Sequence, residues 1–233
     1  MTGRHHEAEQ VLRRALRVKA QFPATHLDPL ALSVSLAEVL EAQEKSMDAL
    51  PYRRRILETR EGSLGAAHAD TLACVDDLGL LLQKVDQRIE AEELLQRALK
   101  QREAQLPADH PDVVMSAYNV ARILKAARRY REAEPLLLRV VHGREAMLGR
   151  EHPDTLATVH EFAGLLSVLE KHAEAEATLQ RAVAGREAAL GMNHMDTLNS
   201  VEALGVALRN LGRYEEAEKA FRRAWLGKEL ALR

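Results

Sequence analysis

A fivefold repeat constrains this chain more than any other feature of its sequence. The pattern His-x-Asp occurs five times, and each histidine follows the previous one by 42 residues. The pairs are His26/Asp28, His68/Asp70, His110/Asp112, His152/Asp154 and His194/Asp196. An internal period of this length is the signature of a solenoid, in which each unit packs on its neighbours. We therefore predict a single solenoid domain over residues 1–233.

The apolar residues of each unit predict two helices, which we call A and B. Counted from each histidine, apolar side chains recur at offsets +4, +10 and +14, and steps of three and four mark one face of a helix. A break follows near +18 to +20, and helix B begins around +21, with alanine at +23 in all five units. Offset +11 is always alanine or glycine, which allows helices to pack closely. Because alanine, leucine, glutamate and arginine also favour helices, we predict an all-α fold of about eleven helices.

The register sets the boundaries of the units. The chain begins with an unpaired helix B of a partial repeat, at residues 6–25. The five full repeats are predicted at 26–67, 68–109, 110–151, 152–193 and 194–233. Solenoids normally shield both ends with polar surfaces, and neither end has such a helix here. We therefore expect further chain or a partner at the ends, which leaves end-to-end self-association open.

Several recurring residues predict how the helices begin, end and pack. Aspartate at +2 is expected to cap helix A, and proline at +25 (Pro51 and Pro135) to lie in the first turn of helix B. Glycine at +39 is expected to form a left-handed cap at the end of helix B. Leucine at +38 is counted among the apolar positions of helix B. Arginine at +29 is expected to bridge successive layers; it is present as Arg55, Arg97, Arg139, Arg181 and Arg223.

The recurring His-x-Asp pairs invite a metal-binding or catalytic interpretation, which their spacing opposes. Each unit carries one pair, and packed helical layers lie about 10 Å apart. A zinc site needs all its ligand atoms about 2 Å from one ion, so different units cannot combine their pairs. Phosphate-binding glycine loops, nucleophile elbows and zincin histidine pairs are also missing from the sequence. We expect no catalytic residue, no metal site, no cofactor and no enzymatic activity.

The repeat resembles the tetratricopeptide repeat (TPR) in its small residue at +11, its alanine at +23 and its small or apolar residue at +30. The usual TPR period is about 34 residues. The longer period, with the linker Leu-Gly-Arg-Glu-His-Pro-Asp at 148–154 and the helix B entry Arg-Glu-Ala-Glu-Pro-Leu at 131–136, resembles the kinesin light chain subtype. This resemblance implies a right-handed superhelix (an α-solenoid) of antiparallel helix pairs. It further implies that the concave face binds peptides or proteins and that helix A lines that groove.

The family's geometry turns offsets +5, +8, +12, +15 and +16 of helix A toward the groove. Tyr118, Arg122 and Lys125 then share one helical face. Two cations beside a ring suit an acidic peptide that carries an aromatic or leucine anchor. The candidate groove residues are Lys84, Tyr118, Arg122, Lys125, His160, Asn199 and Arg209.

The composition argues against nucleic-acid and membrane partners. The net charge of −2 and the 3% of aromatic residues oppose nucleic-acid binding. The sequence holds no run of about 18 apolar residues, so we expect no membrane partner, and a single cysteine, Cys74, suits a cytoplasmic protein. We predict a protein-interaction module or scaffold. The alternatives are a cargo adaptor like kinesin light chains, or the sensor or oligomerisation region of a larger signalling NTPase or protease.

Overall fold

The helical content predicted from the repeat is confirmed. The structure, a computed structural model, describes residues 2–22 and 28–231, and within these ranges it contains eleven α-helices and no strand. The helices are α1 (Thr2–Gln21), α2 (Pro29–Ala42), α3 (Ser46–Leu64), α4 (Ala69–Lys84), α5 (Arg88–Gln105), α6 (Pro111–Ala126), α7 (Tyr130–Leu148), α8 (Pro153–Val168), α9 (His172–Leu190), α10 (Met195–Asn210) and α11 (Tyr214–Ala231).

The chain divides into two compact units. The first unit, Met1–Gln105, contains α1 to α5, and each of these helices packs on the next. The second unit, Leu106–Arg233, contains α6 to α11, which pack in the same consecutive way, with an additional contact between α8 and α10. Even-numbered helices correspond to helix A and odd-numbered helices to helix B. The continuity of one solenoid over residues 1–233 stays a prediction.

Helix A begins with a histidine cap in four of the units. His68, His110, His152 and His194 each accept, through Nδ1, the backbone N–H of the aspartate two residues later, at 3.2 Å. The expectation that this aspartate would be the cap is wrong in these units. The aspartate lies instead in the first turn, where its charge faces the positive end of the helix dipole. Asp28 does cap α2, accepting from the Leu30 N–H at 2.9 Å, whereas His26 lies outside the described residues.

Small residues allow helices A and B to approach closely. A methyl group added at Gly79 of α4 would lie 2.7 Å from Leu95 Cγ of α5, and one at Gly205 of α10 would lie 2.9 Å from the Phe221 ring. The close packing predicted at +11 is confirmed. A second series of closely packed glycines, at +33 in helix B, was not anticipated from the sequence. A methyl group added to any of them would meet the +4 side chain of helix A. Its members are Gly143, Gly185 and Gly227.

The predicted apolar stripes form the core, with one exception. Offsets +14 and +23 are buried in all five units, from Leu40 and Ala49 to Leu208 and Ala217. The leucines at +38 are wrong as core positions, because Leu64 and Leu148 are more than two-fifths exposed. Each is the last residue of its helix B. Leu232, the last of this series, lies outside the described residues.

Two expectations about helix B need correction. Helix B begins at +20, so Pro51 and Pro135 each occupy the sixth position of their helix, on an exposed face, and each removes one backbone hydrogen bond. Gly149, which follows α7, has φ 93° and ψ 161°, and Gly65 and Gly191 are similar. This conformation is not the left-handed helical cap, but an extended one that only glycine adopts readily.

Three of the five arginines at +29 join successive helices B, as expected of the whole series. Arg97 Nη2 of α5 lies 2.6 Å from Glu61 Oε1 of α3. The same pairing recurs within the second unit at Arg181–Glu145 and Arg223–Glu187. The layers are therefore tied by charge at these three arginines, in addition to their apolar core.

Candidate functional site

Four of the seven candidate residues lie on one face of the second unit. Tyr118, Arg122 and Lys125 belong to α6, and His160 belongs to the neighbouring helix A, α8. Hydrogen bonds connect α6 to α8 and α8 to α10 along this surface. We call the surface the α6–α8–α10 face, defined by these four residues together with Glu161 and Ser200.

Glu161 joins the tyrosine and the lysine. Its Oε2 accepts the Tyr118 hydroxyl at 2.9 Å, and its Oε1 accepts Lys125 Nζ at 2.5 Å. Burial raises the pKa of Tyr118, and the neighbouring Glu161 carboxylate raises it further, so the phenol stays protonated and donates. The charge of Lys125 is therefore already paired with the Glu161 carboxylate, and an acidic ligand would have to share the lysine with Glu161.

Two guanidinium groups contact the Tyr118 ring. Arg144, from α7, lies 4.7 Å from the ring centroid, and Arg122 lies 5.9 Å from it. Arg144 also donates to the Asp154 carbonyl oxygen at 3.1 Å and to Thr158 Oγ1 at 2.6 Å, so it is held in place. Arg122 is exposed, and within the described residues no carboxylate lies within ion-pair distance of it. It is the cation of this face best placed to meet a carboxylate from a ligand.

His160 is fixed by a chain of hydrogen bonds. Arg186 Nη1 donates to Ser200 Oγ at 2.7 Å, and Ser200 Oγ lies 3.2 Å from His160 Nδ1. Because the serine oxygen accepts a hydrogen bond from the guanidinium group, its hydroxyl can donate to an unprotonated Nδ1, which is the neutral form of the imidazole. Burial lowers the pKa of His160, and the positive charge of Arg186 lowers it further. Ser200 is fully buried, so this histidine–serine pair is an anchor of the face and not an exposed nucleophile.

A concave cavity of about 590 Å³ opens beside these residues. It is lined by Lys125, Ala126, Tyr130, His160, Glu161, Gly164, Leu165 and Val168. Val168 is more than half exposed. Gly164 lies inside α8, yet a methyl group added there would meet nothing within 4 Å. Glycine inside a helix costs about 1 kcal/mol relative to alanine, and here no packing contact explains it.

The other three candidates lie apart from this cluster. Lys84 ends α4 in the first unit, exposed, where it lines a cavity with Glu44, Asp48 and Asp86. Arg209 is exposed at the end of α10 and lines a different cavity, beside Trp225. Asn199 is half-buried on α10. The structure thus does not gather all seven residues into one site.

Other chemistry-bearing residues are structural. Cys74 is half-buried, and burial raises the pKa of its thiol despite the nearby charge of Arg60, which disfavours the reactive thiolate. Across the part of the chain that the structure describes, no three His, Cys, Asp or Glu side chains converge as metal ligands. The described helices include none that is both long and apolar enough to cross a membrane.

Comparison with known families and structures assigns the repeat. The tetratricopeptide repeat model matches residues 28–104, 71–146, 112–187 and 154–224. The chain belongs to the tetratricopeptide repeat family. Searched against curated protein sequences, this TPR chain gives no significant match. TPR proteins generally mediate protein–protein interactions and are typically not enzymes.

Solved structures show which TPR proteins this chain is similar to. A kinesin light chain candidate from Podosopora anserina, with nearly identical TPR-like repeats, is 26% identical with a TM-score of 0.79, covering 88% of this chain and 97% of that one. BtubC (BKLC) from P. vanneervenii is 19% identical with a TM-score of 0.78, covering 97% and 90%. MamA from Desulfovibrio magneticus RS-1 is 14% identical with a TM-score of 0.67, covering 88% and 98%. The likenesses to BtubC and MamA concern the fold alone. The Podosopora anserina structure confirms the resemblance to kinesin light chain-like repeats.

Two residues that help to build the face, Glu161 and Ser200, were not among the sequence candidates. Glu161 stands at +9, an offset that was not assigned to the groove, and the residues at +9 differ in every unit. Ser200 stands at +6, where Ser116 and Thr158 also carry hydroxyl groups. That recurrence, read with the recurring arginine at +34 (Arg144 and Arg186), was a signal that could have predicted the arginine–hydroxyl contacts.

Proposed function

We propose that this TPR protein is a non-enzymatic, cytoplasmic interaction module that binds an acidic peptide segment on its α6–α8–α10 face. The observation that carries the proposal is the cavity beside Gly164. Its lining combines apolar Leu165 and Val168 with Lys125, and Arg122 lies about one helical turn before Lys125 on α6. A segment that places an aromatic or leucine side chain in the cavity and a carboxylate on Arg122 matches both features.

Gly164 supports this proposal because its missing side chain leaves the mouth of the cavity open. The glycines at Gly79, Gly143 and Gly205 are explained by close helix packing. Gly164 faces open space, as does Gly62 in α3, but Gly164 lines this cavity and Gly62 does not. A helix interior that keeps such a glycine loses stability without a packing gain. Space for a ligand side chain accounts for that loss.

The test is fluorescence anisotropy with labelled decapeptides in which one tryptophan or leucine is flanked by aspartates, and with matched peptides that carry lysines instead. We expect binding of the acidic peptides only. Arg122→Glu should weaken it by about tenfold or more, because a charge-assisted contact becomes a repulsion. Gly164→Leu should abolish it by filling the cavity while the thermal stability stays equal or rises.

A matched control for the charge change is Arg128→Glu. Arg128 is an exposed arginine in the turn after α6 and, unlike Arg122, it does not contact the Tyr118 ring. Its affinity should equal that of the wild type. If Arg122→Glu and Gly164→Leu both bind the acidic peptides as tightly as the wild type, the assignment of this face is wrong.

A cargo-adaptor role like that of kinesin light chains is the second candidate. The observation that favours it is the likeness to the Podosopora anserina structure over 88% of this chain. An adaptor has to bind a motor as well as a cargo. Co-purification of a kinesin heavy chain with the full chain would support this role, and its repeated absence would leave the general interaction module.

A further inference from the structure

Helix α11 carries an aromatic and charged stripe on its outer face. Tyr214, Glu218, Arg222 and Trp225 follow one another at steps of three and four, so they share one side of the helix, and Phe221 lies at the edge of this stripe. They line a cavity of about 480 Å³ together with Arg209 and Ala217. Tyr214 is 70% exposed and Trp225 65% exposed. Large aromatic side chains left in water in this way mark an interaction surface.

Earlier repeats show what normally covers the position that Trp225 occupies. Trp225 stands at +31 of the last repeat. The residues at +31 in the two preceding repeats, Val141 and Val183, are only 4% and 8% exposed. Val183 is buried against Val201 of α10 and Ala224 of α11, which belong to the following repeat. The outer side of a helix B is therefore built to be covered by another helix, and on α11 this side carries larger apolar groups than elsewhere.

The charges on the stripe are complementary to a second copy of α11. Arg222 and Glu218 lie 3.3 Å apart within α11, and both side chains are about 70% exposed, so this pair contributes little and can exchange partners. Two α11 helices packed in parallel would bring equal charges together. Packed antiparallel about a twofold axis near residue 220, they place Glu218 against Arg222 of the second copy, and by symmetry the reverse.

The same register also matches the aromatic residues. Tyr214 and Trp225 lie at nearly equal distances on either side of residue 220, so Tyr214 of one copy faces Trp225 of the other. Aromatic pairs of this kind favour association beyond the area they bury. We propose that the chain forms a symmetric homodimer through antiparallel packing of α11, independently of the peptide-binding function.

The test is sedimentation velocity of the full chain over a wide range of concentrations, so that mass action can be followed. The wild type should reach twice the 26.0 kDa of one chain. Glu218→Arg and Arg222→Glu should each be monomeric, because each places like charges opposite one another twice. The double variant Glu218→Arg/Arg222→Glu should recover the dimer, and Trp225→Ala should weaken it by more than about tenfold.

Tryptophan fluorescence gives a second readout, because Trp225 is the only tryptophan of the chain. Its emission should shift to longer wavelength on dilution of the wild type, as the indole moves from the interface to water. The control Glu93→Arg, an exposed charge reversal on α5, should keep both the dimer and the fluorescence shift. Circular dichroism should show unchanged helix content for all variants, since the substituted side chains are exposed.

A wild type that stays monomeric at every concentration would overturn the proposal and leave the stripe to a different partner. So would a dimer that persists in both single charge variants. A double variant that remains monomeric would equally contradict the antiparallel register, because the swapped charges restore the same pairing.

Discussion

Two residues after the end of each helix A, the backbone adopts a conformation that suits glycine, although most units place another residue there. Glu170, after α8, has φ 62°, and the equivalent Gly212 after α10 has φ 77°. Glu44, Asp86 and Arg128 share this conformation. A side chain in the left-handed region is strained by its Cβ atom, so these turns hold a small cost in four units that the last unit avoids.

Glu170→Gly should therefore raise the free energy of unfolding by about 0.5–1 kcal/mol, because the strain is relieved at a position already in this conformation. Urea denaturation and the melting temperature measure the effect. Glu170→Ala is the matched control, since it removes the charge but keeps the Cβ atom, and it should give no gain. The reverse change, Gly212→Ala, should destabilise, and a neutral result for both glycine exchanges would contradict the account.

His160 should make stability depend on pH. Burial lowers its pKa in the folded chain, so as pH falls below the ordinary histidine value of about 6.5 the unfolded chain takes up the proton first. The contribution of the neutral imidazole is complete above that pH and is lost as pH falls through the lower, folded-state pKa. The charged groups near this ring are Arg186, Asp196, Glu161 and Lys125.

Urea unfolding of the wild type and of His160→Gln at pH 7 and at pH 5.5 tests this expectation. The wild type should lose more stability than the variant on acidification, because glutamine does not titrate while its amide can still bond to Ser200 Oγ. The remaining histidines are common to both proteins and cancel in the comparison. Equal losses in the two proteins would show that His160 is not the group responsible.

At the scale of helices, charge and close packing act together between layers. Arg97 and Glu61 join α5 to α3 across 2.6 Å, with both side chains about one-third exposed. Such a pair is screened by water, so its contribution is modest. Recurrence of the pairing at Arg181 and Arg223 makes it a property of the layer and not of one position.

Arg97→Ala should lower the free energy of unfolding by about 0.5–1 kcal/mol, and less at high salt. Lys100→Ala, an exposed cation on the same helix, is the control and should have no measurable effect. A double-mutant cycle with Glu61→Ala isolates the pair. If the effects of the two single changes simply add, the bridge does not stabilise the layers.

At the scale of the whole molecule, the repeat period made the fold predictable. Strict recurrence of the core offsets fixes where each helix lies in the sequence, and the burial of Leu40, Leu82, Leu124, Leu166 and Leu208 follows from it. The continuity of a single solenoid and the binding of a partner by the seven candidate residues are not determined by the period, and both stay predictions.

The details of the candidate face could not be predicted in the same way. Glu161 binds Tyr118 and Lys125 because α8 is rotated to turn +9 toward α6, and the rotation of one helix against another is a tertiary property. The histidine caps were also missed, since aspartate is the more usual cap and only the backbone geometry shows which side chain reaches the N–H.

The recurring pairs between layers have a consequence for how this array can change in length. Arg213 of α11 contacts Glu176 of α9, and Arg223 contacts Glu187. Deletion of residues 152–193 as one block would present Arg213 with Glu134 and Arg223 with Glu145, in the same offsets. The three repeats of the second unit each carry a cation at +19, an arginine at +29 and glutamates at +24 and +35. Copies of 42 residues can therefore be gained or lost there during evolution without redesign of the interface that receives them.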